Sequence, residues 1–336
     1  MGVIIEYIKL IRPYGILFLG FTPVFGALCN KEFGLLHLSI LLIIGLLAHV
    51  FTFVQNDYYD VEVDRQSKYV VQRPLIKGGI SQSSARIVFL CSMGIAVLLA
   101  AVFFFSLYSF LALLGAFFFM SLYNKYSKRL PGMEYVLGGA VLLYGLFGAL
   151  TVSDEISPLV FIIAFVGLLQ WVFSVGVSAN LKDVEFDTRL GIRTTPVLFG
   201  VHVIGNQLKK PMSFIMYTYG IKLVHLFVLM LSFIFGYTSP LLLGYPIPLA
   251  GFIVLACILL FTTRGILTAS LEHRDLMLRY EGAHEGLALL LIPVVLLSYL
   301  VEHLGALPSF LLIILLILWP LLCLRFLFGK TLIPLE

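Results

Sequence analysis

Four acids stand close together in NDYYDVEVDR, residues 56–65: Asp57, Asp60, Glu62 and Asp64. On a helix Asp57, Asp60 and Asp64 fall at i, i+3 and i+7, so they share one face with Asn56 beside them. Carboxylates stacked in this way repel one another, and the arrangement makes sense where a cation fills it. All-oxygen ligands favour a hard ion; Mg²⁺ takes one or two protein carboxylates and leaves its other positions to water and phosphate. The pattern returns in NLKDVEFD, residues 180–187, with Asn180, Asp183 and Asp187 again at i, i+3 and i+7. The offsets 57 to 180, 60 to 183 and 64 to 187 are each 123 residues. One acidic patch at a helix end is ordinarily a solvated face. Two at matching spacing, each closing a long apolar run, could grip one polyanion between them.

The elements that must position these acids are membrane spans. The chain has 336 residues, 60% hydrophobic and 12% charged, with a mean hydropathy of +1.05. That charged fraction is about half of what a soluble domain carries. A net charge of +4 is too small to argue for nucleic acid, and no short apolar core with a small-residue cleavage site marks a signal peptide at the N-terminus. Ten apolar segments reach membrane length: 10–29, 35–55, 86–105, 107–123, 135–152, 157–179, 213–236, 245–267, 285–302 and 308–328. The third and fourth need a tight turn near 106–109. Alternate connections are rich in lysine and arginine, from Arg65 and Lys68 through Lys128, Lys182 and Arg193 to Arg274 and Arg279, while the opposite ones hold Lys31 as their only basic residue, with Glu32, Asp154, Glu155 and Glu302. The positive-inside rule makes the basic connections cytoplasmic, and both acidic motifs open on that side. RPLIKG (73–78) and TPVLFG (195–200) follow the two motifs at nearly equal distance, which suggests pseudo-symmetric halves around a central site.

The basic loops supply the other half of a phosphate clamp: Arg65, Lys68, Arg73, Lys128, Lys182 and Arg193, arginine for bidentate contacts and lysine as a point charge. No glycine-rich P-loop precedes a lysine, which argues against nucleotide binding of that kind. A diphosphate whose tail lies among apolar helices is an isoprenoid diphosphate. Metal and basic residues would pull on the leaving group, and Phe51, Phe53, Tyr58 and Tyr59 could face a carbocation.

These motifs resemble the UbiA superfamily of intramembrane prenyltransferases. Residues 56–64 match its N-D-x-x-D-x-x-x-D motif and 183–187 its D-x-x-x-D motif; the Arg-Pro at 12–13, R-P-L-x-x-G at 73–78, Y-x-x-x-x-K-R at 123–129 and the stretch 182–196 are similar too. The resemblance covers about the first two thirds of the chain. It implies an all-α polytopic bundle of nine or ten transmembrane helices around a cavity, and Mg²⁺-dependent prenyl transfer, with Mn²⁺ as a substitute. It also implies metal binding through Asn56, Asp57, Asp60, Asp64, Asp183 and Asp187, the five aspartates being the catalytic set. The donor would be a polyprenyl diphosphate such as geranylgeranyl diphosphate, the acceptor a lipophilic molecule: an aromatic quinone precursor or, alternatively, a glycerophosphate ether lipid. The whole of 1–336 reads as one integral membrane domain, 1–302 as the family-like core and 303–336 as an additional C-terminal span. Arg325 and Lys330 favour a cytoplasmic end and hence an even number of spans.

Other classes fare worse. A CDP-alcohol phosphotransferase needs a D-G…A-R pattern that neither motif has, and a cation transporter places its carboxylates near the bilayer midplane. The loop 270–286, with His273, Glu281, His284 and Glu285, reads as an ordinary solvated loop or a lid, since its histidine spacing fits no standard zinc site. Lys222, ten residues into the seventh span, is expected to snorkel to the interface. Cys29, Cys91, Cys257 and Cys323 are unpaired in spacing and read as small hydrophobes.

Overall fold

Long apolar runs have no water to satisfy their backbone in a bilayer, so they fold as helices. The computed structural model describes residues 2–205 and 207–329. In chain order the helices are α1 (Gly2–Ile11), α2 (Ile16–Cys29), α3 (Leu35–Asp64), α4 (Gln82–Phe103), α5 (Leu107–Tyr126), α6 (Met133–Leu150) and α7 (Pro158–Phe173). A π-helical turn at Ser174–Ala179 leads into the short α8 (Asn180–Lys182), α9 (Val184–Leu190) and α10 (Thr195–Leu198). An antiparallel hairpin, β1 (His202–Ile204) and β2 (Gln207–Lys209), pairs Val203 with Leu208. Then come α11 (Met212–Ile234), α12 (Ile247–Thr268), α13 (Arg274–Val295), α14 (Leu297–Leu304) and α15 (Ala306–Phe328).

Every one of the ten apolar segments is helical. Among the described residues eight helices are long and apolar enough to cross a membrane, or nine if α13 and α14, bent by 56°, form one span. The bend follows Pro293, which removes a helical N–H and crowds the preceding turn. The segment expected at 10–29 is shorter than a span: α2 has 14 residues, about 21 Å at 1.5 Å per residue. It is nevertheless deeply packed. A Cβ on Gly26 would land on the Gly145 carbonyl, and one on Gly148 on that of Pro23, so α2 and α6 touch backbone to backbone through small residues. The protein is an integral membrane protein.

Where a tight turn was needed between the third and fourth segments, Ser106 and Ser109 cap α5 reciprocally, each hydroxyl accepting from the other's backbone N–H at 3.1 Å. The two Pro-to-Gly stretches end alike as well: Gly78 (φ 78°) and Gly200 (φ 82°) both adopt the left-handed conformation that glycine tolerates.

One end of the bundle gathers the basic connections. Arg189 reaches the Gln66 carbonyl at 3.3 Å, Lys128 the Asp187 carboxylate at 3.9 Å and Arg274 that of Asp183 at 3.1 Å. Glu6 of α1 pairs with Lys77 at 2.8 Å, and the Phe328 and Tyr14 ring centroids lie 6.0 Å apart. Both ends of the described chain thus meet the motif end. Lys330 lies outside the described residues.

Candidate active site

α3 runs unbroken from the apolar interior through the whole first motif, so the i, i+3, i+7 geometry is realised. Asn56, Asp60 and Asp64 line a cavity of about 640 Å³. Asp57, 3% exposed, does not line it. Arg12 covers it instead, with Nη2 2.5 Å from Oδ1, while Arg73 bridges Asp57 (3.5 Å) and Asp64 (2.5 Å). Burial works against the Arg73 charge, but Asp57, Asp64, Asp60 and Asp183 outweigh it and hold the guanidinium more firmly protonated than usual.

Arg12 is over-determined. It precedes Pro13, which disfavours the right-handed helical region, and adopts φ 55°, ψ 60°, a conformation that costs about 1–3 kcal/mol in a non-glycine residue. The Asp57 ion pair, the Phe53 ring 5.5 Å from its guanidinium carbon and His49 at 3.3 Å from its carbonyl hold it there.

The second motif departs from the single helical face expected of it. The π-helical turn shifts the register before Asn180, and Asp183 (φ −103°, ψ 3°) breaks the helix between α8 and α9. Asn180 and Asp183 line the cavity and Asp187 does not. Asp187 is fully buried, accepting from the Thr194 hydroxyl at 3.1 Å with the Lys128 ammonium 3.9 Å away. Burial lifts the Asp187 carboxyl to about 6; Lys128 and Thr194 pull it back and Asp183 adds to the rise. Lys128 feels the converse: burial opposes its charge, but Asp187, Asp60, Asp183 and Asp64 raise it above the ordinary lysine range.

Of the basic residues expected to hold a diphosphate, Arg73, Lys128, Lys182 and Arg193 line the cavity beside Asn56. Arg65 and Lys68 do not. Both are exposed, and Lys68 lies 5.0 Å over the Tyr69 ring, because the chain turns away from α3 directly after Asp64. Of the four aromatics, only Phe53 faces the cavity. Phe51 packs between Phe89 and Phe117, Tyr58 packs on Phe89, and Tyr59 is exposed. Trp171 and Tyr123 line it instead.

Several lining residues lie outside the expected set: Arg12, Glu134, Gln170, Ser174, Glu281 and Glu285. The Arg-Pro dipeptide signalled Arg12; nothing in local spacing signals the others. Loop 270–286 is mostly helix, with α13 starting at Arg274. His284 is buried, stacked on Phe173 at 4.4 Å and bonded to Thr262 at 3.1 Å. Lys222 does not snorkel: it is fully buried, and its Nζ donates to Gln170 Oε1 at 2.7 Å. From the stretch 303–336, α15 contributes Leu316, Ile317, Pro320, Leu321 and Leu324 to the cavity wall, and Trp319 ties it to the Pro13 carbonyl at 2.7 Å.

The donor set suits a hard cation. All candidates are oxygen ligands, and Asn56, Asp60, Asp64, Asn180 and Asp183 line one cavity. Among the described residues no three carboxylates converge as a ready-made coordination sphere; Arg12, Arg73 and Arg274 are interposed. The residues therefore fit an ion held by one or two carboxylates from each motif and completed by phosphate, as Mg²⁺ is.

A model of the UbiA prenyltransferase family matches residues 18–278. The chain belongs to the UbiA prenyltransferase family. It is 28% identical over 147 residues to the 4-hydroxybenzoate octaprenyltransferase of Pseudomonas fluorescens (strain SBW25), covering 44% of this chain and 49% of that protein. The alignment thus spans about half the length of such relatives. To the digeranylgeranylglyceryl phosphate synthase of Methanocaldococcus jannaschii it is 28% identical over 260 residues, 73% of this chain and 89% of that protein. The solved UbiA homologue of Archaeoglobus fulgidus bound to GPP and Mg²⁺ superposes with a TM-score of 0.52 at 17% identity, covering 95% of this chain and 99% of the homologue. At that identity the likeness speaks for the UbiA fold alone. The family match ends before Glu281, Glu285 and all of α15.

Proposed function

We propose that this UbiA family member transfers a prenyl group from a polyprenyl diphosphate to a lipophilic acceptor, in a reaction that requires Mg²⁺. The observation that carries the reading is one cavity with two unlike halves. Asn56, Asp60, Asp64, Asn180 and Asp183 meet Arg73, Lys128, Lys182 and Arg193 at its mouth, and leucines of α13 and α15 line the rest. Such a site suits a charged head and an apolar tail. Asp60, Asp64 and Asp183 with Asn56 and Asn180 would hold Mg²⁺, which when bound supplies charge stabilisation to the departing diphosphate. Arg73 and Lys128, kept charged by the surrounding acids, add fixed positive charge where negative charge develops. Phe53 and Trp171 line the same cavity and supply aromatic surface near the developing cation. The allylic C–O bond breaks, the diphosphate leaves, a bond forms from the allylic carbon to the acceptor, and the acceptor gives up a proton. Asp57 and Asp187 act by fixing Arg12, Arg73 and Lys128.

An aromatic quinone precursor is the first acceptor to test, in line with the hydroxybenzoate relatives. A second reading, a glycerophosphate ether lipid, is favoured by the alignment to the digeranylgeranylglyceryl phosphate synthase over 89% of its length. The cavity opens toward the basic end of the bundle, which the positive-inside rule makes cytoplasmic. The test is incubation of the purified protein with geranylgeranyl diphosphate and Mg²⁺, with 4-hydroxybenzoate and geranylgeranylglyceryl phosphate in separate reactions. Prenylated product from one of them, abolished by EDTA, is expected. Undiminished turnover in excess EDTA, or no product from either, contradicts the proposal.

A further inference from the structure

A second polar cluster lies deeper in the same cavity, on elements the acidic motifs do not touch. Glu285 of α13 accepts hydrogen bonds from the Ser174 hydroxyl at 2.7 Å and from Gln170 Nε2 at 2.9 Å. Gln170 in turn accepts from the fully buried Lys222 ammonium of α11 at 2.7 Å, which sits 4.1 Å over the Phe173 ring. Charged groups inside a membrane bundle are costly and usually functional. Both Glu285 oxygens lie within hydrogen-bond distance of neutral partners, Ser174 Oγ at 2.7 Å from each and Gln170 Nε2 at 2.9 Å from Oε2. Lys222, relayed through Gln170, balances its charge. Glu285, Ser174 and Gln170 all line the cavity, so the carboxylate is reachable from inside.

Its depth is informative. Glu281, four residues earlier on α13, pairs with Lys182 at 3.5 Å, next to Asp183. Glu285 is thus one turn, about 6 Å, further toward the apolar part of the cavity. An allylic carbon leaving a diphosphate held at the acidic motifs points in that direction, and an acceptor must meet it there. Whether that acceptor is an aromatic ring or a hydroxyl, forming its new bond releases one proton. Neither Asp60 nor Asp183 is placed to take it, since both face the charged mouth.

We infer that Glu285 is the base of this site: it orients the acceptor and receives the proton it loses as the allylic C–O bond breaks and the new bond to the acceptor forms. Ser174 and Gln170 position the carboxylate, and Lys222 supplies the balancing charge. The inference rests on the prenyl-transfer reading above and adds a residue outside the family match.

The test compares wild type with Glu285→Gln, Glu285→Asp and Glu285→Ala, full-length in liposomes. The donor is geranylgeranyl diphosphate and the acceptor whichever of 4-hydroxybenzoate and geranylgeranylglyceryl phosphate wild type uses. Glu285→Gln should lower kcat for transfer about 100-fold, within the range of a lost general base, with Mg²⁺-dependent donor binding unchanged. Glu285→Asp should fall between, and added formate should restore part of the transfer in Glu285→Ala. Wild-type turnover in Glu285→Gln overturns the inference and leaves the function intact. Loss of donor binding in both Glu285→Gln and Glu285→Asp, or no response of Glu285→Ala to formate, assigns Glu285 a structural role and overturns it as well. A wild type inert toward both acceptors overturns the function itself.

Discussion

The two aspartate motifs have the same spacing in sequence and different geometry in space. The first lies on an uninterrupted α3 (Leu35–Asp64); the second follows a π-helical turn and is divided by a break at Asp183. Yet each splits its acids in the same way. Asp60 and Asp64, like Asp183, face the cavity; Asp57 and Asp187 turn into protein and hold basic residues, Arg12 and Arg73 in one case and Lys128 in the other. Acids gathered at one site repel one another and raise their own cost of ionisation. Ion pairs relieve this: Asp57 and Asp187, turned away from the cavity, are set against cations, while Asp64 and Asp183 meet Arg73 and Arg274 beside it, which fixes the positive charges that a phosphate needs. The comparison teaches that equal spacing can mark equal division of labour without equal helical geometry.

The largest expected effect tests that division directly. Asp60→Ala and Asp183→Ala should lower transfer by about 10²–10³, the loss of one preorganised electrostatic contact, with thermal stability preserved. Full activity in either variant breaks the assignment. Next come the anchoring acids. Asp57→Asn and Asp187→Asn should cost about 1–3 kcal/mol of stability, since each leaves a charged partner without its buried carboxylate, and a thermal melt with and without donor would read it. An unchanged melt in both would mean that these acids anchor nothing.

The apolar half sharpens the comparison at intermediate size. Leu321→Trp in α15 should slow transfer from geranylgeranyl diphosphate more than from geranyl diphosphate, because the side chain fills the wall that a long tail needs. Equal rates would remove α15 from the site. The smallest effects belong to the exposed charges beside the motifs. Glu62→Ala, Glu185→Ala, Arg65→Ala and Lys68→Ala should each keep most of the activity, as surface charges away from a site change little. A dead but folded Glu62→Ala would return the helical-face assignment to question.

Much of this architecture is readable in the residues. Apolar length locates every long helix, and charge alternation places both motifs at one end of the bundle. What escapes depends on breaks and on distant partners. Spacing alone makes 180–187 one helical face, whereas the break at Asp183 separates Asn180 from Asp187 onto two short helices. Arg12 is visible only as an Arg-Pro pair, because its role depends on a left-handed residue meeting a helix 45 positions away. Lys222 looks like an interfacial lysine since its acceptor, Gln170, belongs to another helix. Glu281, His284 and Glu285 make 270–286 look solvated, although those polar groups face the interior of the bundle rather than water.

The central claim is that both motifs act on one diphosphate. A double-mutant cycle on Mg²⁺-dependent binding of geranylgeranyl diphosphate, with wild type, Asp60→Asn, Asp183→Asn and the double variant, tests it most directly. Residues that serve one shared network are non-additive. Each single variant should weaken binding by about 10²-fold, and the double variant scarcely more than either. Losses that multiply in full would place the two aspartates in independent sites and contradict the account.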